Sequence, residues 1–266
     1  MENQEKFIKT LTITTDWLNN DYYYGVLRGR LISICPNLNL IEISNQIPTF
    51  NLHHAAFILR HSYKHFPIES IHLVMVNSEN NPKQRMLSFK HNDHFFVIPD
   101  NGIIGLLFRE MPPLVYPFPF SSPGSFSSLN ASANAISEIC QVNGFGESIT
   151  PVTDYDQKIP LRATIENSVI TGSIIYIDSY FNLITNVSRD LFDRVAKNRR
   201  FEIFVQSHYN KVDKLVSTYN EVDDGELLAL FNSEGLLEIA INNGYAAQLL
   251  SLNVGGSIRI KFYEND

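Results

Sequence analysis

The sequence predicts an α/β N-terminal domain with a largely parallel sheet, followed by a smaller all-β, barrel-like C-terminal domain. Three observations carry this reading. Strand and helix signals alternate from Phe7 to Val76, a proline- and serine-rich interruption follows Met111, and short strands with turns between them dominate from about Val169.

The first strand is the alternating, β-branched run Phe7 to Thr15, which ends in a polar turn from Asp16 to Asn20. Asp21 then opens a helix with Tyr24, Leu27, Leu31 and Ile34 at helical spacing, stopped by Pro36. A strand over Leu38 to Ser44, a helix over Leu52 to Phe66 closed by Pro67, and a strand over Ser70 to Val76 complete the βαβ pattern. Strands at Arg85 to Phe89 and His94 to Ile98 lead to a turn at Pro99-Asp100-Asn101-Gly102. Met111 to Ser128 holds five of the 12 prolines and reads as loop rather than helix or central strand. A helix over Leu129 to Cys140 follows, and then a composition change places the domain boundary in Glu147 to Asn167. The domains are expected at about 1–150 and 165–266. Beyond the boundary, strands are expected at Val169 to Ile177, Leu183 to Val187, Phe201 to Gln206, Leu215 to Tyr219, Leu227 to Phe231, Leu236 to Ile241 and Ser257 to Phe262.

With 44% hydrophobic and 18% charged residues, the 266-residue chain has ample apolar surface for a core, which argues against disorder. A net charge of −7 argues against nucleic acid as a partner. The polar Met1 to Lys6 lacks an export signal, and the longest apolar stretch, near Gly102 to Phe108, is far too short to span a bilayer. A soluble, cytoplasmic protein is expected, with no membrane partner. Cys35 and Cys140 read as ordinary core thiols in apolar settings. The many asparagines form no tract and read as compositional drift.

Few constellations suggest chemistry. His61 and His65 could share a helix face, but no third ligand is apparent, so no metal is expected and the histidines read as a polar outer face over inward Ala55, Ala56 and Leu59. Five bases in Arg189 to Arg200 stand among Asp190 and Asp193 and read as a solvated helix with cations near its C-terminal end. A phosphate-binding glycine loop is missing after the first strand, where Thr15-Asp16-Trp17-Leu18 stands. Asp16 itself lies at the carboxyl end of a parallel strand, where ligands of open α/β sheets collect, and a carboxylate there suits a ribose diol. The competing reading is that Asp16 caps the following turn.

Several dispersed segments together resemble one family. Leu11-Thr12-Ile13-Thr14-Thr15-Asp16, Asp21-Tyr22-Tyr23-Tyr24-Gly25 with Arg28-Gly29, and Ala55-Ala56 through Phe66-Pro67 come first. Pro99-Asp100-Asn101-Gly102, Tyr176-Ile177-Asp178 with Asn182, Thr185 and Asn186, and Asn232-Ser233 with Gly235, Leu237, Ile239 and Ala240 follow in order. This series is similar to the S-adenosylmethionine hydroxide adenosyltransferase family, relatives of the fluorinase and chlorinase enzymes, over nearly the whole chain.

The resemblance implies hydrolysis of S-adenosylmethionine to adenosine and methionine by attack of a water-derived oxygen at ribose C5′, without a cofactor. It implies a homotrimer that binds S-adenosylmethionine or adenosine between the N-terminal domain of one subunit and the C-terminal domain of its neighbour. Asp16 would hold the ribose hydroxyls, Phe50 would pack on the sugar side, and Asn77, Arg85 and Ser127 would stand at the reacting end. Asp178 would face the methionine amine, Tyr180 would stack on adenine, Asn182 would bond the adenine edge, and Ser233 would add polar contacts. Where the family has an aspartate, this chain has Asn77, with Glu79 a possible substitute; where it has a histidine, this chain has Ser127; and Phe181 replaces a glycine. These departures motivate an alternative expectation: a homologue that binds adenosine or S-adenosylmethionine without turnover.

Overall fold

The computed structural model describes residues 9–18, 20–121, 124, 126–207 and 209–264. Met1 to Lys6, the strand positions Phe7 and Ile8, and Ser125 of the proline-rich segment lie outside the described residues. The chain forms two compact units, Met1–Pro160 and Leu161–Asp266.

The first unit is a sheet covered on both faces. Its elements are β1 (Lys9–Thr15), α1 (Tyr22–Ile34), β2 (Leu38–Ser44), α2 (Leu52–Ser62), β3 (Ile71–Met75), β4 (Arg85–His91), β5 (His94–Pro99), α3 (Ile103–Leu107), β6 (Tyr116–Pro119) and α4 (Ser127–Val142). The strand order is β2-β1-β3-β5-β4-β6, with β2, β1, β3 and β5 parallel and β4 antiparallel to both its neighbours, β5 and β6. Strand alternation divides the core between the two faces. Leu11, Ile13, Leu73 and Met75 pack with Leu27, Leu31, Ile136 and Ile139 of α1 and α4. Val74, Phe89, Phe96 and Ile98 pack with Ala55, Ala56, Leu59 and Ile104 of α2 and α3. On that second face Thr12 Oγ1 lies 2.7 Å from His72 Nδ1, and His72 Nε2 lies 3.1 Å from His94 Nδ1. All three residues are buried.

Local chemistry sets the helix ends. The Asp21 carboxylate accepts from Tyr23 N at the start of α1, and Asn51 Oδ1 accepts from His54 N at the start of α2. The helix expected to reach Phe66 stops at Ser62 and continues as a 3-10 turn, Tyr63–His65, where the Ser62 hydroxyl donates to Ile58 O. The helix expected from Leu129 begins two residues earlier, because the Glu79 carboxylate accepts from Ser128 N at 3.0 Å and from Ser128 Oγ at 2.7 Å. The segment expected to be loop contains β6, an edge strand paired only to β4, where Pro117 and Pro119 are tolerated. After the αL turn at Gly102 (φ +91°), Ile103–Leu107 forms the short helix α3, which the sequence reading does not include.

The second unit is a nearly closed antiparallel sheet. It comprises β7 (Thr164–Glu166), β8 (Val169–Ile177), β9 (Leu183–Ser188), α5 (Arg189–Ala196), β10 (Arg200–Val205), β11 (Lys211–Val212), β12 (Leu227–Phe231), β13 (Leu236–Ile241), α6 (Ala246–Leu249) and β14 (Ser257–Tyr263). The order is β11-β10-β14-β8-β9-β13-β12, with β7 paired to β8. β14 shows the pattern plainly: Ile258, Ile260 and Phe262 are buried while Arg259 and Lys261 are exposed. The strand expected at Leu215 to Tyr219 does not form. Leu215 makes a single bridge to Ala229, and Tyr219–Glu221 is a 3-10 turn closed by a Thr218/Glu221 capping box. Two of the five bases of Arg189 to Arg200 have partners beside them: Arg199 donates to Val195 O and Ala196 O at the end of α5, and Arg189 lies 4.4 Å from the Phe231 ring centroid.

One compositional reading needs correction. Asn77, Asn92, Asn143, Asn167, Asn198 and Asn243 all sit at positive φ, so many asparagines serve as left-handed turn residues. Cys35 and Cys140 are both free and half-buried; they border a cavity also lined by Lys9, Asn37, Glu69 and Asn143, and Cys140 packs against the apolar core of the first unit. No helix among the described residues is long and apolar enough to cross a membrane.

Candidate functional site

In the first unit the candidate residues gather at the carboxyl ends of β1 and β3, the loop after β2, and the N-terminus of α4. Asp16 follows the last residue of β1, and its Oδ2 accepts from Phe50 N at 2.9 Å and from Asn77 N at 3.2 Å. The following turn is bonded instead by Thr15 Oγ1, which accepts from Trp17 N at 2.8 Å. The carboxylate thus ties together the loops after β2 and β3, which is a different job from capping its own turn. Phe50 and Asn77 both meet it in left-handed conformations, φ +64° and +47°. Phe50 is 68% exposed.

Asn77 is held from below by Asn101, whose Nδ2 donates to Val76 O and Asn77 O, each at 3.1 Å. Among the described residues, Asn77 Oδ1 is buried without a hydrogen-bond partner, as is Thr14 Oγ1 near the end of β1. A buried unpaired acceptor costs free energy, and polar sites that bind ligand or water are where such groups are kept. Ser127, buried at the start of α4, donates from Oγ to Gly124 O at 2.8 Å. Its neighbour Ser128 joins Glu79 and Ser78 in a bonded cluster.

Arg85 is engaged structurally. Its Nε donates to Asp100 Oδ2 at 2.7 Å and its Nη2 to Asp154 O. Asp100 is fully buried, and its Oδ1 accepts from Asp156 N at 2.8 Å. The pair therefore anchors the segment Asp154 to Lys158 across the turn at Asp100-Asn101-Gly102. Lys83 adds a bond to Asp154 Oδ1 at 2.6 Å, and Lys158 N donates to Gly102 O. A side chain at Gly102 or Gly105 would strike Lys158, at 2.7 Å and 2.4 Å respectively.

In the second unit, Asp178 organises the β8–β9 loop. Its Oδ1 accepts from Tyr180 N at 2.9 Å and Asn182 N at 2.8 Å, and its Oδ2 from Asn182 Nδ2 at 3.2 Å. Asn182 is buried, whereas Tyr180 is 73% exposed. Phe181 adopts φ +62°, and its ring packs against the core of its own unit and edge-on to Tyr245 at 5.2 Å. Ser233 is exposed in the turn between β12 and β13. That turn is fixed by Asn232, whose Oδ1 accepts from Glu234 N and Leu236 N at 3.1 Å and whose Nδ2 donates to Glu238 Oε2 at 3.3 Å. Glu238 is buried and also accepts from Tyr219 OH at 2.6 Å. The Tyr219 phenol is pushed well up, by burial first and by this bond to Glu238 second.

Sequence reasoning passed over Glu238 and Tyr219, although a lone acid inside Leu236-Leu237-Glu238-Ile239-Ala240-Ile241 was a visible signal. It also missed the support that Asn101 and Asp100 give from the turn after β5. His61 lies in the last turn of α2 and His65 in the 3-10 turn that follows, and no group of three or more His, Cys, Asp or Glu among the described residues is placed to hold a metal ion.

The fold and these clusters define a two-domain class: a parallel α/β unit that anchors a carboxylate at its strand ends, followed by an antiparallel, barrel-like unit. Residues 11–121 match the SAM hydroxide adenosyltransferase N-terminal domain and residues 172–259 match the corresponding C-terminal domain. The chain belongs to the SAM hydroxide adenosyltransferase family. Similar curated proteins include the (R)-S-adenosyl-L-methionine hydrolases of Methanocaldococcus jannaschii, 24% identical with 97% of each chain covered, and of Thermus thermophilus, 25% identical with 92% of this chain and 97% of the relative covered. Among solved structures, an uncharacterized conserved protein from Thermotoga maritima superposes with a TM-score of 0.82 at 24% identity, covering 95% of this chain and 99% of that one. This last likeness shows the shared fold.

Proposed function

We propose that this protein hydrolyses S-adenosylmethionine to adenosine and methionine. Water oxygen attacks ribose C5′, the bond from C5′ to sulfur breaks with its electron pair leaving on sulfur, and the water's proton passes to solvent. Methionine departs as a neutral thioether. Family membership and the relatives named as hydrolases support the reaction class.

The observation that carries the reading is the bond from Asn77 N to Asp16 Oδ2, because it puts a buried, unpartnered acceptor, Asn77 Oδ1, one residue's length from the carboxylate suited to a ribose diol. With Oδ2 fixed by two main-chain donors, Asp16 offers Oδ1 to the ribose hydroxyls in a charge-assisted bond. A sulfonium leaves without protonation, so the nucleophilic water needs orientation and desolvation more than a strong base. An amide oxygen can orient that water although it cannot take its proton. In this reading Ser127 and Arg85 shape the reacting end, Arg85 through its hold on Asp100, and Phe50 covers the sugar.

On the second unit, Tyr180 stacks on adenine. Asn182, with Nδ2 bound to Asp178, turns Oδ1 to the adenine amino group. Asp178 and Ser233 meet the methionine end. The open aromatic faces of Phe50 and Tyr180 fit a site completed between neighbouring subunits of a homotrimer working in the cytoplasm.

The test is incubation of purified protein with S-adenosylmethionine and chromatography of adenosine and methionine, at pH values from roughly 6 to roughly 9 to bracket ordinary histidine and cysteine titration. Both products should accumulate in equal amounts. Adenosine binding with no turnover above buffer would overturn the hydrolase reading in favour of a binding homologue.

A further inference from the structure

The turn between β12 and β13 rests on a buried acid. Glu238 pairs with Leu230 of β12 and lies two residues from Ala240, so it shares the sheet face of the small apolar cluster Leu228, Leu230 and Ala240. Val216 and Val222 pack on this cluster, and between them the Thr218/Glu221 capping box fixes the turn that carries Tyr219. Taking a carboxylate out of water costs free energy, and apolar residues in place of buried ionic groups are often neutral or stabilising. What the acid supplies that a leucine would not is a pair of acceptors with no donor. Oε1 accepts from Tyr219 OH at 2.6 Å and Oε2 from Asn232 Nδ2 at 3.3 Å.

That restriction decides which way the Asn232 amide faces. A carboxamide carries donors at one end and an acceptor at the other, and a carboxylate bonds only the NH2 end. Oδ1 is left to accept from Glu234 N and Leu236 N, each at 3.1 Å. With Asn232 N on Leu236 O at 3.0 Å and Gly235 N on Asn232 O at 2.9 Å, these bonds hold Ser233 in one place. The reversed amide would set its NH2 against two main-chain N–H donors.

We propose that Glu238 is a positioning residue for the amino-acid end of S-adenosylmethionine: it orients Asn232, and Asn232 fixes the turn that presents Ser233 to the ligand. Tyr219 OH holds the carboxylate in place. This role rests on the reading that Ser233 meets the methionine end. The order of the turn therefore matters to ligands that carry that end and not to adenosine.

The test is calorimetric titration of full-length wild type and variants with S-adenosylhomocysteine, which keeps the amino-acid end but lacks the sulfonium leaving group, and with adenosine. In Glu238→Gln, Oε1 still accepts from Tyr219, but the new amide nitrogen faces Asn232, whose oxygen swings to meet it and abandons the turn. In Asn232→Asp, two carboxylates face one another. Each single variant should bind S-adenosylhomocysteine at least about tenfold more weakly than wild type and adenosine within about twofold of it. The double variant Asn232→Asp/Glu238→Gln restores the bond with donor and acceptor exchanged, and should bind S-adenosylhomocysteine within about threefold of wild type. Tyr219→Phe, at a partly exposed position outside the core, should weaken S-adenosylhomocysteine alone by about threefold. Parallel loss of both affinities, unchanged affinities in the single variants, no recovery in the double variant, or a wild type that binds S-adenosylhomocysteine no better than adenosine would each overturn the proposal. Wild-type protein that shows the expected affinities without turning over S-adenosylmethionine would strike the hydrolase reading and leave Glu238 in its role.

Discussion

Lowering the pH should weaken the first unit through His72, a ring buried between Thr12 and His94. Burial above all, and the neighbouring His94 next, push His72 down to about 3. In the unfolded chain the same ring titrates near about 6.5. The folded-state value is the depressed one, so the contribution is fully present above about pH 6.5 and is lost as pH falls, because there the unfolded chain binds a proton that the folded chain refuses. Between about pH 7 and about pH 5 this one ring should cost about 2 kcal/mol of stability. His54, His91 and His94, also lowered by burial, act in the same direction. The perturbation is the double variant Thr12→Val/His72→Phe, which removes the titrating ring together with the hydroxyl bonded to it. The assay is urea unfolding followed by the fluorescence of Trp17, the chain's single tryptophan, which lies in the same unit. Wild type should lose stability about 2 kcal/mol faster than the variant across that window. Equal pH slopes for the two proteins would refute the reasoning.

Asp16→Ala should weaken adenosine binding by at least about tenfold in calorimetry, since charge-assisted bonds to a ribose diol contribute about 1.5–3 kcal/mol each; equal affinities would leave Asp16 as a loop tie only. Arg85→Met should lower stability by about 3–5 kcal/mol, measured by thermal unfolding, because it strands the fully buried Asp100 carboxylate. Glu79→Ala should cost about 1 kcal/mol by uncapping α4. A loss of turnover of more than about a hundredfold with unchanged stability would instead assign Glu79 to the chemistry.

The α/β and β architectures were legible because the hydrophobic periods are clean: Leu11 and Ile13 against Thr12 and Thr14, or Ile258, Ile260 and Phe262 against Arg259 and Lys261. What was hidden depended on partners far along the chain. α3 is four buried apolar residues around Gly105, with no period to read. β6 is masked by two prolines that only an edge position tolerates. Leu215 to Tyr219 has strand-like composition, yet Glu221 captures Ser217 N and Thr218 N and curls the chain into a 3-10 turn. At the candidate site, the end of β1 directed attention to Asp16, whereas the buried Asn77 Oδ1 depends on Asn101, and Glu238 on Tyr219, across 24 and 19 residues.

The left-handed asparagines carry a consequence for substitution tolerance. A turn residue at positive φ is interchangeable with glycine and nearly closed to β-branched side chains, whose cost there is about 1–2 kcal/mol. Asn167 is therefore a position where glycine should be accepted and valine or isoleucine refused, whereas Asn92, Asn143 and Asn243 also carry side-chain hydrogen bonds, to Tyr63, to Lys9 and Glu69, and to Asp224, that glycine would lose. With only 13 glycines in 266 residues, the chain writes much of its turn punctuation in asparagine. A glycine-spaced pattern will misalign on such a protein even where its backbone follows the family.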